Sequence, residues 1–217
     1  MDSSFWLSRW RENRIGFHRE AVNEHVLRWW PSLNAQPAAR VVVPLCGKSY
    51  DLDWLAERHV TVGVELSPIA LDDVWQRCPR EPSRHRQGTH FWSSDGQLTT
   101  ICGDFMALTT EQIAPFDHFY DRAALIALPA RLREQYVKTI KGLSTERASG
   151  LLVALEYDQE KMDGPPFSIS VDAVRSLFSP DFKVDVLMSQ SSSQVPERFQ
   201  SLGITTLTEH ILKLSRD

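Results

Sequence analysis

An acidic residue, Glu65, ends a short apolar segment and follows Gly47 by 18 positions. The segment Val60–Glu65 has the β-branched residues of a buried strand, and Gly47 lies in the turn after a similar segment, residues 40–44. A carboxylate at a strand end can accept two hydrogen bonds side by side, which suits the hydroxyls of a ribose. Nucleotide-binding βαβ units separate the glycine turn from the acid by roughly 20 residues. This order predicts that Glu65 binds a nucleoside; the alternative is a solvated carboxylate at a strand end.

The turn that contains Gly47 lacks the features that bind phosphate. Gly47-Lys48-Ser49 resembles the end of a P-loop, but Val42 stands where that motif has its first glycine. No G-x-G-x-x-G occurs, so no glycine-lined backbone can approach a pyrophosphate. A turn with one glycine and Leu45 beside it favours a ligand that has adenosine but no phosphate. S-adenosylmethionine, in which a sulfonium joins adenosine to an amino acid, is such a ligand.

Short motifs in a specific order run through most of the chain. Around the turn they are Pro44-Leu-Cys-Gly-Lys-Ser49, Asp51-Leu-Asp-Trp-Leu55 and Val62-Gly-Val-Glu-Leu-Ser67. Further motifs are Phe5-Trp6 to Trp10, Gly16-Phe17-His18, residues 116–125, Tyr157-Asp158, Gly164-Pro-Pro-Phe167, Glu197-Arg198 and Leu202-Gly-Ile204. Together these motifs resemble the thiopurine S-methyltransferase family. The resemblance implies a class I methyltransferase fold with S-adenosylmethionine as the methyl donor.

The resemblance also implies roles for single residues. The cofactor site would include Trp10, Leu45, Glu65, Arg122 and the adenine-contacting loop at Gly103 and Asp104. The family usually has a serine and an apolar residue in place of Gly103-Asp104, so the loop is expected here without that side-chain contact. By the same match, Arg198 would face the methyl acceptor.

Simpler structural roles are open for several of these side chains. Trp6 and Trp10, four residues apart, could form the apolar face of a packed helix rather than approach a sulfonium. Arg122 could pair with Asp121 or Glu156 instead of binding a ligand. On sequence alone, both kinds of role remain open for each residue.

The segment Gly164-Pro-Pro-Phe167 resembles the Asn/Asp-Pro-Pro-Tyr/Phe motif of enzymes that methylate amino groups of nucleic-acid bases. Gly164 has no side chain that could accept an amine proton, and the net charge of −4 disfavours nucleic-acid binding. The segment is therefore predicted to form an extended rim of the acceptor pocket. Arg198 lies in the polar stretch 189–200, predicted to be a mobile loop, where a solvated arginine is the default. Cys46 is predicted to be a small buried hydrophobe rather than a nucleophile.

The elements that must position these residues alternate along the chain. Strands are predicted at residues 40–44, 60–65, 116–121 and 150–157, and a hairpin turn at Asp95-Gly96. Helices are predicted at residues 17–30 (ended by Pro31), 51–58, 129–143 and 171–178, and another begins at Ser67-Pro68. Residues 182–188 and 204–214 form a terminal strand pair with no helix between them. The pattern predicts an α/β fold with a doubly wound, mostly parallel seven-stranded sheet and an antiparallel C-terminal strand.

Composition limits the class of protein. A chain of 217 residues, 42% hydrophobic, suits one domain (1–217), in which residues 1–30 would form a helical cap over the cofactor site. The apolar runs are too short to span a bilayer, and no signal peptide is recognisable. Three dispersed cysteines favour a reducing cytoplasm, and the histidines lack metal-ligand spacing. We expect a cytoplasmic monomer with a small-molecule thiol substrate, no metal, and no nucleic-acid or membrane partner.

The predicted reaction moves a methyl group to the sulfur of small aromatic or heterocyclic thiols such as thiopurines. Transfer from a sulfonium to a thiolate reduces charge in the transition state, so positioning matters more than a general base. Arg122 and Arg198 would stabilise the anionic acceptor, and Trp6 and Phe167 would stack on its ring. Three alternatives remain at this point: a methyltransferase for selenium, tellurium or other small acceptors, a nicotinamide oxidoreductase, and a non-catalytic cofactor-binding module.

Overall fold

The computed structural model describes residues 3–216. In this part of the chain the strands are β1 (Arg40–Pro44), β2 (Val60–Glu65), β3 (Ser83–Gln87), β4 (His90–Ser94), β5 (Leu98–Cys102), β6 (Phe116–Arg122), β7 (Ser144–Glu156), β8 (Lys183–Ser192) and β9 (Leu207–Ser215). The α-helices of the same residues are α1 (Ser3–Arg11), α2 (Glu24–Trp29), α3 (Asp51–Ala56), α4 (Pro68–Arg77), α5 (Ala130–Leu143), α6 (Val171–Phe178) and α7 (Glu197–Gln200). None of these helices has the length and apolar character needed to cross a membrane.

The strands form one sheet in the order β3-β4-β5-β2-β1-β6-β7-β9-β8. Strands β5, β2, β1, β6 and β7 are parallel, and β9 runs antiparallel between β7 and β8. Side chains alternate between the two faces, as they must in a strand. Val42 packs on the side of α5 and α6, whereas Val41 and Val43 pack on the side of α2, α3 and α4. The predicted doubly wound α/β fold with an antiparallel C-terminal strand is confirmed.

The sheet has nine strands in the described residues rather than the seven predicted, because a hairpin extends one edge. The predicted turn at Asp95-Gly96 joins β4 to β5, and the Asp95 carboxylate accepts the backbone N–H groups of Gln97 (2.9 Å) and Leu98 (2.8 Å). The additional edge strand is β3, which pairs with β4. All five residues of β3 are exposed, so it has no apolar alternation from which a strand could be predicted.

The predicted helix at residues 17–30 is wrong over its first half. Helix α2 begins only at Glu24, and the Asn23 side chain caps it by accepting the N–H of His25 at 2.8 Å. The Asn23 N–H is itself bound by the Asp51 carboxylate at 2.7 Å. Phe17 does not belong to this helix; its ring packs edge-to-face against Trp10 of α1. Pro31 does not end the helix directly, because it lies within a following 3₁₀ turn, Trp30–Leu33.

The segment predicted as a mobile loop, residues 189–200, is partly regular. Strand β8 continues to Ser192, and the short helix α7 follows the capping residue Pro196. Arg198 lies on α7, where its guanidinium stacks over the Phe199 ring with 4.9 Å to the centroid.

Candidate functional site

The Glu65 carboxylate connects the ends of β1 and β2. It is 8% exposed; one oxygen accepts the Gly47 N–H at 3.0 Å and the other accepts the Ser67 N–H at 2.9 Å. Burial raises the pKa of this carboxyl, and its backbone hydrogen bonds oppose the rise. Each oxygen keeps a further lone pair, so the group can still accept two hydroxyls.

The turn after β1 has an unusual backbone. Leu45 has φ 49° and Gly47 has φ 53°, both in the left-handed region that β-carbons disfavour. Between them Cys46 is buried, and burial raises the pKa of its thiol, which fits the predicted role as a hydrophobe. A β-carbon on Gly47 would lie 3.1 Å from Cζ2 of Trp10, so glycine here allows the indole to lie against the turn.

Aromatic rings from the N-terminal segment cover this turn. Phe17 packs edge-to-face against Trp6 (5.7 Å between centroids) and against Trp10 (5.6 Å). Trp10 is 6% exposed although α1 precedes the sheet. The two tryptophans therefore belong to one packed cluster, and that cluster also lies above the strand ends.

The carboxyl end of β6 holds a second set of polar groups. The buried Asp121 carboxylate accepts the N–H groups of Ala124 and Leu125, both at 3.1 Å, and the Tyr136 hydroxyl at 2.7 Å. Burial raises its pKa to about 6. These bonds hold the turn that carries Arg122, and within residues 3–216 Arg122 makes no ion pair with Asp121 or any other acid.

The other acid considered for Arg122, Glu156, is bound elsewhere. It accepts a hydrogen bond from His210 at 3.0 Å. Arg122 is followed by Ala123, a second non-glycine residue with positive φ (69°). Within residues 3–216, Arg122 therefore forms neither of the two ion pairs considered for it.

Two clefts open above the strand ends and share a wall. The inner cleft surrounds the turn and is lined by residues that include Trp10, Leu45, Gly47, Asp51, Glu65 and Tyr120. The outer cleft is lined by residues that include Arg9, Arg14, Arg19, Arg198, Pro165 and Pro166. Both clefts are lined by Trp6, Phe17, Arg122, Ala123 and Ala127. A group bound in one cleft can therefore meet a group bound in the other at this shared wall.

The predicted cofactor residues fall in two places. Trp10, Leu45, Glu65 and Arg122 line the inner cleft, whereas Gly103 and Asp104 are not among its lining residues. The Gly103 N–H donates to the Glu65 carbonyl at 2.9 Å, and the exposed Asp104 carboxylate accepts the N–H of Met106 at 2.9 Å. The loop therefore lies beside the strand end that carries Glu65.

His90 explains why this chain has a glycine at position 103. A β-carbon there would lie 2.2 Å from Cδ2 of the His90 ring, which is closer than any real contact. The ring is fixed because Nε2 of His90 lies 3.1 Å from the Asp104 carbonyl oxygen. The histidine takes the space that a side chain at position 103 would need.

The predicted acceptor residues are also distributed unevenly. Trp6 and Arg122 line both clefts, and Arg198 lines the outer cleft. Phe167 does not line either cleft; its ring packs on Gly164, where a β-carbon would be 2.5 Å from the ring. The two prolines between them, Pro165 and Pro166, reach the outer cleft instead.

Asp51 is a site residue that the sequence did not reveal. It is 1% exposed, lines the inner cleft, and has a free carboxylate oxygen beyond the bond to Asn23. The neighbouring Tyr120 hydroxyl is buried beside the Asp51 carboxylate, which raises the pKa of this hydroxyl, but no described group forms a hydrogen bond of good geometry with it. Asp51 lies in the first turn of α3, where acidic residues are common because they interact favourably with the helix dipole. No signal in the sequence therefore distinguishes it as a site residue.

The inner cleft fits S-adenosylmethionine. Glu65 suits the ribose hydroxyls, and the Asp51 carboxylate with the Tyr120 oxygen beside it suits an ammonium group. Arg122 adds positive charge at the wall of the cleft, whereas Lys48 is held in an ion pair with Asp73 at 2.7 Å, and the Trp10 indole suits a sulfonium. Within residues 3–216, no cluster of histidine, cysteine or acidic side chains is arranged to hold a metal ion.

The sequence matches the family described as "Thiopurine S-methyltransferase (TPMT)" over residues 1–217. It is 40% identical over 218 residues to the thiopurine S-methyltransferase of Pseudomonas putida strain F1, and 39% identical over 220 residues to that of Xanthomonas campestris pv. campestris strain 8004; each alignment covers 100% of both chains.

Solved methyltransferases share the fold at low sequence identity. Magnesium protoporphyrin IX methyltransferase from Synechocystis PCC 6803 has a TM-score of 0.66 at 13% identity, with 100% of both chains covered. The 1,6-didemethyltoxoflavin-N1-methyltransferase of Burkholderia thailandensis has a TM-score of 0.62 at 17% identity, covering 99% of this chain and 86% of its own. The chain therefore belongs to the thiopurine S-methyltransferase family, and it is a methyltransferase that uses S-adenosylmethionine as its donor.

Proposed function

We propose that this enzyme methylates the sulfur of a small heterocyclic or aromatic thiol, with thiopurines as the model acceptors. The observation that carries the proposal is the shared wall of the two clefts, at which the arginine side chain of Arg122 stands beside the aromatic rings of Trp6 and Phe17. A thiolate that enters through the outer cleft reaches this wall from the side opposite the inner cleft. Arg122, which has no acidic partner in the described part of the chain, is then free to attract the thiolate.

The inner cleft holds the donor through groups that are already in place. Glu65 binds the ribose, Asp51 and Tyr120 bind the ammonium group, and Trp10 covers the sulfonium. When bound, S-adenosylmethionine supplies an activated methyl group. Because Glu65 is fixed by two backbone N–H groups, it does not need to reorganise on binding.

The outer cleft orients the acceptor and excludes water from the shared wall. Pro165, Pro166 and Trp6 offer apolar surface for a planar ring, and Phe167 supports the proline segment by packing on Gly164. Arg122 and Arg198 stabilise the anionic form of the acceptor. Charge decreases as sulfur attacks the methyl group, so alignment of the two sulfur atoms is the main requirement.

No general base is required by this arrangement. Aromatic thiols ionise near neutral pH, and positive charge lowers the pKa of a thiol further. His18 lines the inner cleft, and burial together with the charges of Lys48 and Arg77 lowers its pKa, which makes its imidazole a weaker base. Asp121 is occupied by its three hydrogen bonds.

We further propose that the chain acts as one domain and as a monomer in the cytoplasm, without a nucleic-acid partner. Residues 3–30 would be a cap that closes over the donor, since Trp6, Trp10 and Phe17 line the inner cleft. Three free cysteines suit a reducing compartment, and the net charge of −4 is unfavourable for binding phosphate backbones.

The test is transfer of labelled methyl from S-adenosylmethionine to 6-mercaptopurine, an aliphatic thiol and selenite. The wild type is compared with Arg122→Lys and Arg122→Ala. We expect turnover of the aromatic thiol, an intermediate rate for the lysine variant, and at least a tenfold lower kcat/KM for the alanine variant. Binding of the donor without transfer to any acceptor would refute the proposal, and transfer to selenite alone would replace the thiol with a selenium acceptor.

A further inference from the structure

The outer cleft offers many hydrogen-bond donors and very few acceptors. Five arginines line it, and a guanidinium group donates hydrogen bonds but cannot accept them. Apart from the arginines, the described residues that line it have apolar or aromatic side chains or, at Gly16, none, with the exception of Glu209. Among these lining side chains, only the Glu209 carboxylate can therefore accept a hydrogen bond from a ligand.

One oxygen of the Glu209 carboxylate is free. Oε2 lies 2.5 Å from Nε2 of His25, and within residues 3–216 Oε1 forms no hydrogen bond or ion pair. The side chain is 36% exposed, so a ligand in the cleft can reach it. A carboxylate oxygen accepts hydrogen bonds strongly because it carries negative charge. Oε1 is therefore available to an N–H group of a ligand.

The arginines of the cleft do not take up this oxygen. The guanidinium of Arg9 lies over an aromatic ring of α1, 4.9 Å from the ring centroid, and Arg14 pairs with Glu12. Arg198 stacks on the neighbouring ring of α7, also at 4.9 Å. In the described part of the chain no arginine lies within ion-pair distance of Glu209.

His25 holds the carboxylate in a fixed position. It is 9% exposed and lies in the first turn of α2, where its backbone N–H donates to the Asn23 side chain at 2.8 Å. The Asn23 N–H in turn donates to the Asp51 carboxylate of the inner cleft at 2.7 Å. The imidazole is thereby anchored, and its bond to Glu209 restricts the rotamers of that side chain. A carboxylate that is already ordered loses less conformational entropy when a ligand binds.

The register of the sheet places Glu209 opposite Arg122. In the pairing of β6 with β7, Arg122 lies beside Val153, and in the pairing of β7 with β9, Leu155 lies beside Glu209. All four residues line the outer cleft. Neighbouring strands are about 4.8 Å apart, so β6 and β9 are separated by roughly 10 Å. A planar ring that lies on the two aliphatic side chains of β7, with its sulfur at Arg122, therefore points its far side at Glu209.

We propose that Glu209 determines specificity for the acceptor: its free oxygen accepts a hydrogen bond from an N–H group on the side of the acceptor ring away from the sulfur, and His25 is the residue that positions it. This inference rests on the proposed function, since it assumes that the sulfur lies at the shared wall. It narrows the acceptor from any small aromatic thiol to one whose ring carries a hydrogen-bond donor opposite the sulfur.

Two thiols of the same shape test the proposal. 4-Aminothiophenol and 4-methylthiophenol have groups of similar size opposite the sulfur, and of these two groups only the amino group donates a hydrogen bond. The specificity ratio is the kcat/KM for the amino thiol divided by the kcat/KM for the methyl thiol. The thiols differ in intrinsic reactivity, but this difference cancels when the ratios of two variants are compared.

The variants remove the acceptor oxygen or its support. Glu209→Leu removes the carboxylate at similar size, and Glu209→Gln keeps a neutral acceptor oxygen. His25→Ala removes the support, whereas His25→Gln keeps a donor for the carboxylate. Glu156→Leu is the matched control, because Glu156 ends the adjacent strand β7, is bound by His210 at 3.0 Å and does not line either cleft. Thermal unfolding of each variant verifies that it is folded.

The specificity ratio should fall at least about fivefold in Glu209→Leu and less in Glu209→Gln, because a hydrogen bond to a charged acceptor is stronger than one to a neutral acceptor. It should also fall in His25→Ala, recover in part in His25→Gln, and stay within about twofold of the wild type in Glu156→Leu. A loss of stability alone lowers kcat/KM for both thiols equally and leaves the ratio unchanged. A smaller fall in Glu209→Leu, or an equal fall in Glu156→Leu, overturns the inference. A ratio that His25→Ala leaves unchanged refutes the positioning role of His25.

Binding and turnover separate this inference from the proposed function. Calorimetry on the protein saturated with S-adenosylhomocysteine measures the affinity for each thiol without methyl transfer. Methylation of both thiols at a ratio that Glu209→Leu does not change supports the proposed function and refutes the role of Glu209. Tighter binding of the amino thiol that is lost in Glu209→Leu, without methylation of any thiol, supports the role of Glu209 and refutes the proposed function.

Discussion

Glu65 offers a quantitative test of the donor site. Its carboxylate is fixed by the N–H groups of Gly47 and Ser67 and retains one lone pair on each oxygen for a ribose hydroxyl. Replacement by alanine removes both ligand hydrogen bonds. It also leaves two backbone donors without acceptors, while it removes a charge whose burial is unfavourable, as its raised pKa shows.

The expected loss of affinity follows from these bonds. A hydrogen bond to a charged group contributes about 1.5–3 kcal/mol, and water that enters the vacated space recovers part of this. For two bonds we expect a loss of about 3–4 kcal/mol, which corresponds to a dissociation constant roughly 100- to 1,000-fold higher. The free energy of unfolding should fall by no more than about 2 kcal/mol, because the relieved burial of charge offsets the two lost acceptors.

Calorimetry with S-adenosylhomocysteine measures this loss directly. Glu57→Ala is the control, since Glu57 is an exposed carboxylate paired only with Arg58 and does not line the inner cleft. A 2′,3′-dideoxyribose analogue of the ligand completes a double-mutant cycle, in which Glu65→Ala should cost little further affinity. If folded Glu65→Ala protein binds the natural ligand within about threefold of the wild type, Glu65 does not bind the ribose.

Three further predictions concern the residues around the clefts. Asp121→Asn keeps an oxygen for both backbone N–H groups, and Asp121 has its pKa raised from 3.8 to about 6 in the fold. A raised carboxyl pKa lowers the stability of the folded state at pH values above it, by an amount on the order of 3 kcal/mol for this shift. Urea unfolding should therefore show the wild type losing about that much stability relative to the variant as pH rises from about 4 to 7.5, while the lost hydrogen bond from the Tyr136 hydroxyl lowers the stability of the variant by about 1–3 kcal/mol. Gly103→Ala should lower the free energy of unfolding by about 1–3 kcal/mol through overlap with His90, and His90→Ala in the same chain should restore most of it. Gly47→Ala should raise the dissociation constant of the donor, because the new methyl group would lie 3.1 Å from Cζ2 of Trp10 and displace the indole. An unchanged dissociation constant would show that the indole does not contact the donor.

Much of the fold could be predicted because its signals are local. The bounds of β1, β2 and α6 agree with the sequence pattern, since β-branched runs and a serine cap depend only on adjacent residues. Strand β3 was missed because its five residues are exposed and pair only at the sheet edge. The predicted helix at residues 17–30 failed because Phe17 packs against a tryptophan of α1, a contact that helical periodicity cannot anticipate.

The site could be predicted only where one residue suffices to identify a role. Glu65 was singled out by its position at a strand end, and it lines the inner cleft; its binding of a ribose stays a prediction. A role for Asp51, which lies on α3, is suggested only by the buried Tyr120 hydroxyl beside it, which lies on β6. Arg19 and Arg198 line the same outer cleft only because the N-terminal segment folds back over the sheet, so neither the spacing nor the composition of the chain indicates that they share it.

Leu45 and Ala123 have a consequence for anyone who engineers this enzyme. Both are non-glycine residues in the left-handed backbone region, at the ends of the adjacent strands β1 and β6, and both line the inner cleft. Such conformations cost of the order of 1–3 kcal/mol each and are typical of functional sites. A search for thermostable variants would therefore favour glycine at these two positions. The same substitutions would make the backbone that lines the donor site more flexible. A selection at these two positions should therefore require both thermal stability and catalytic activity.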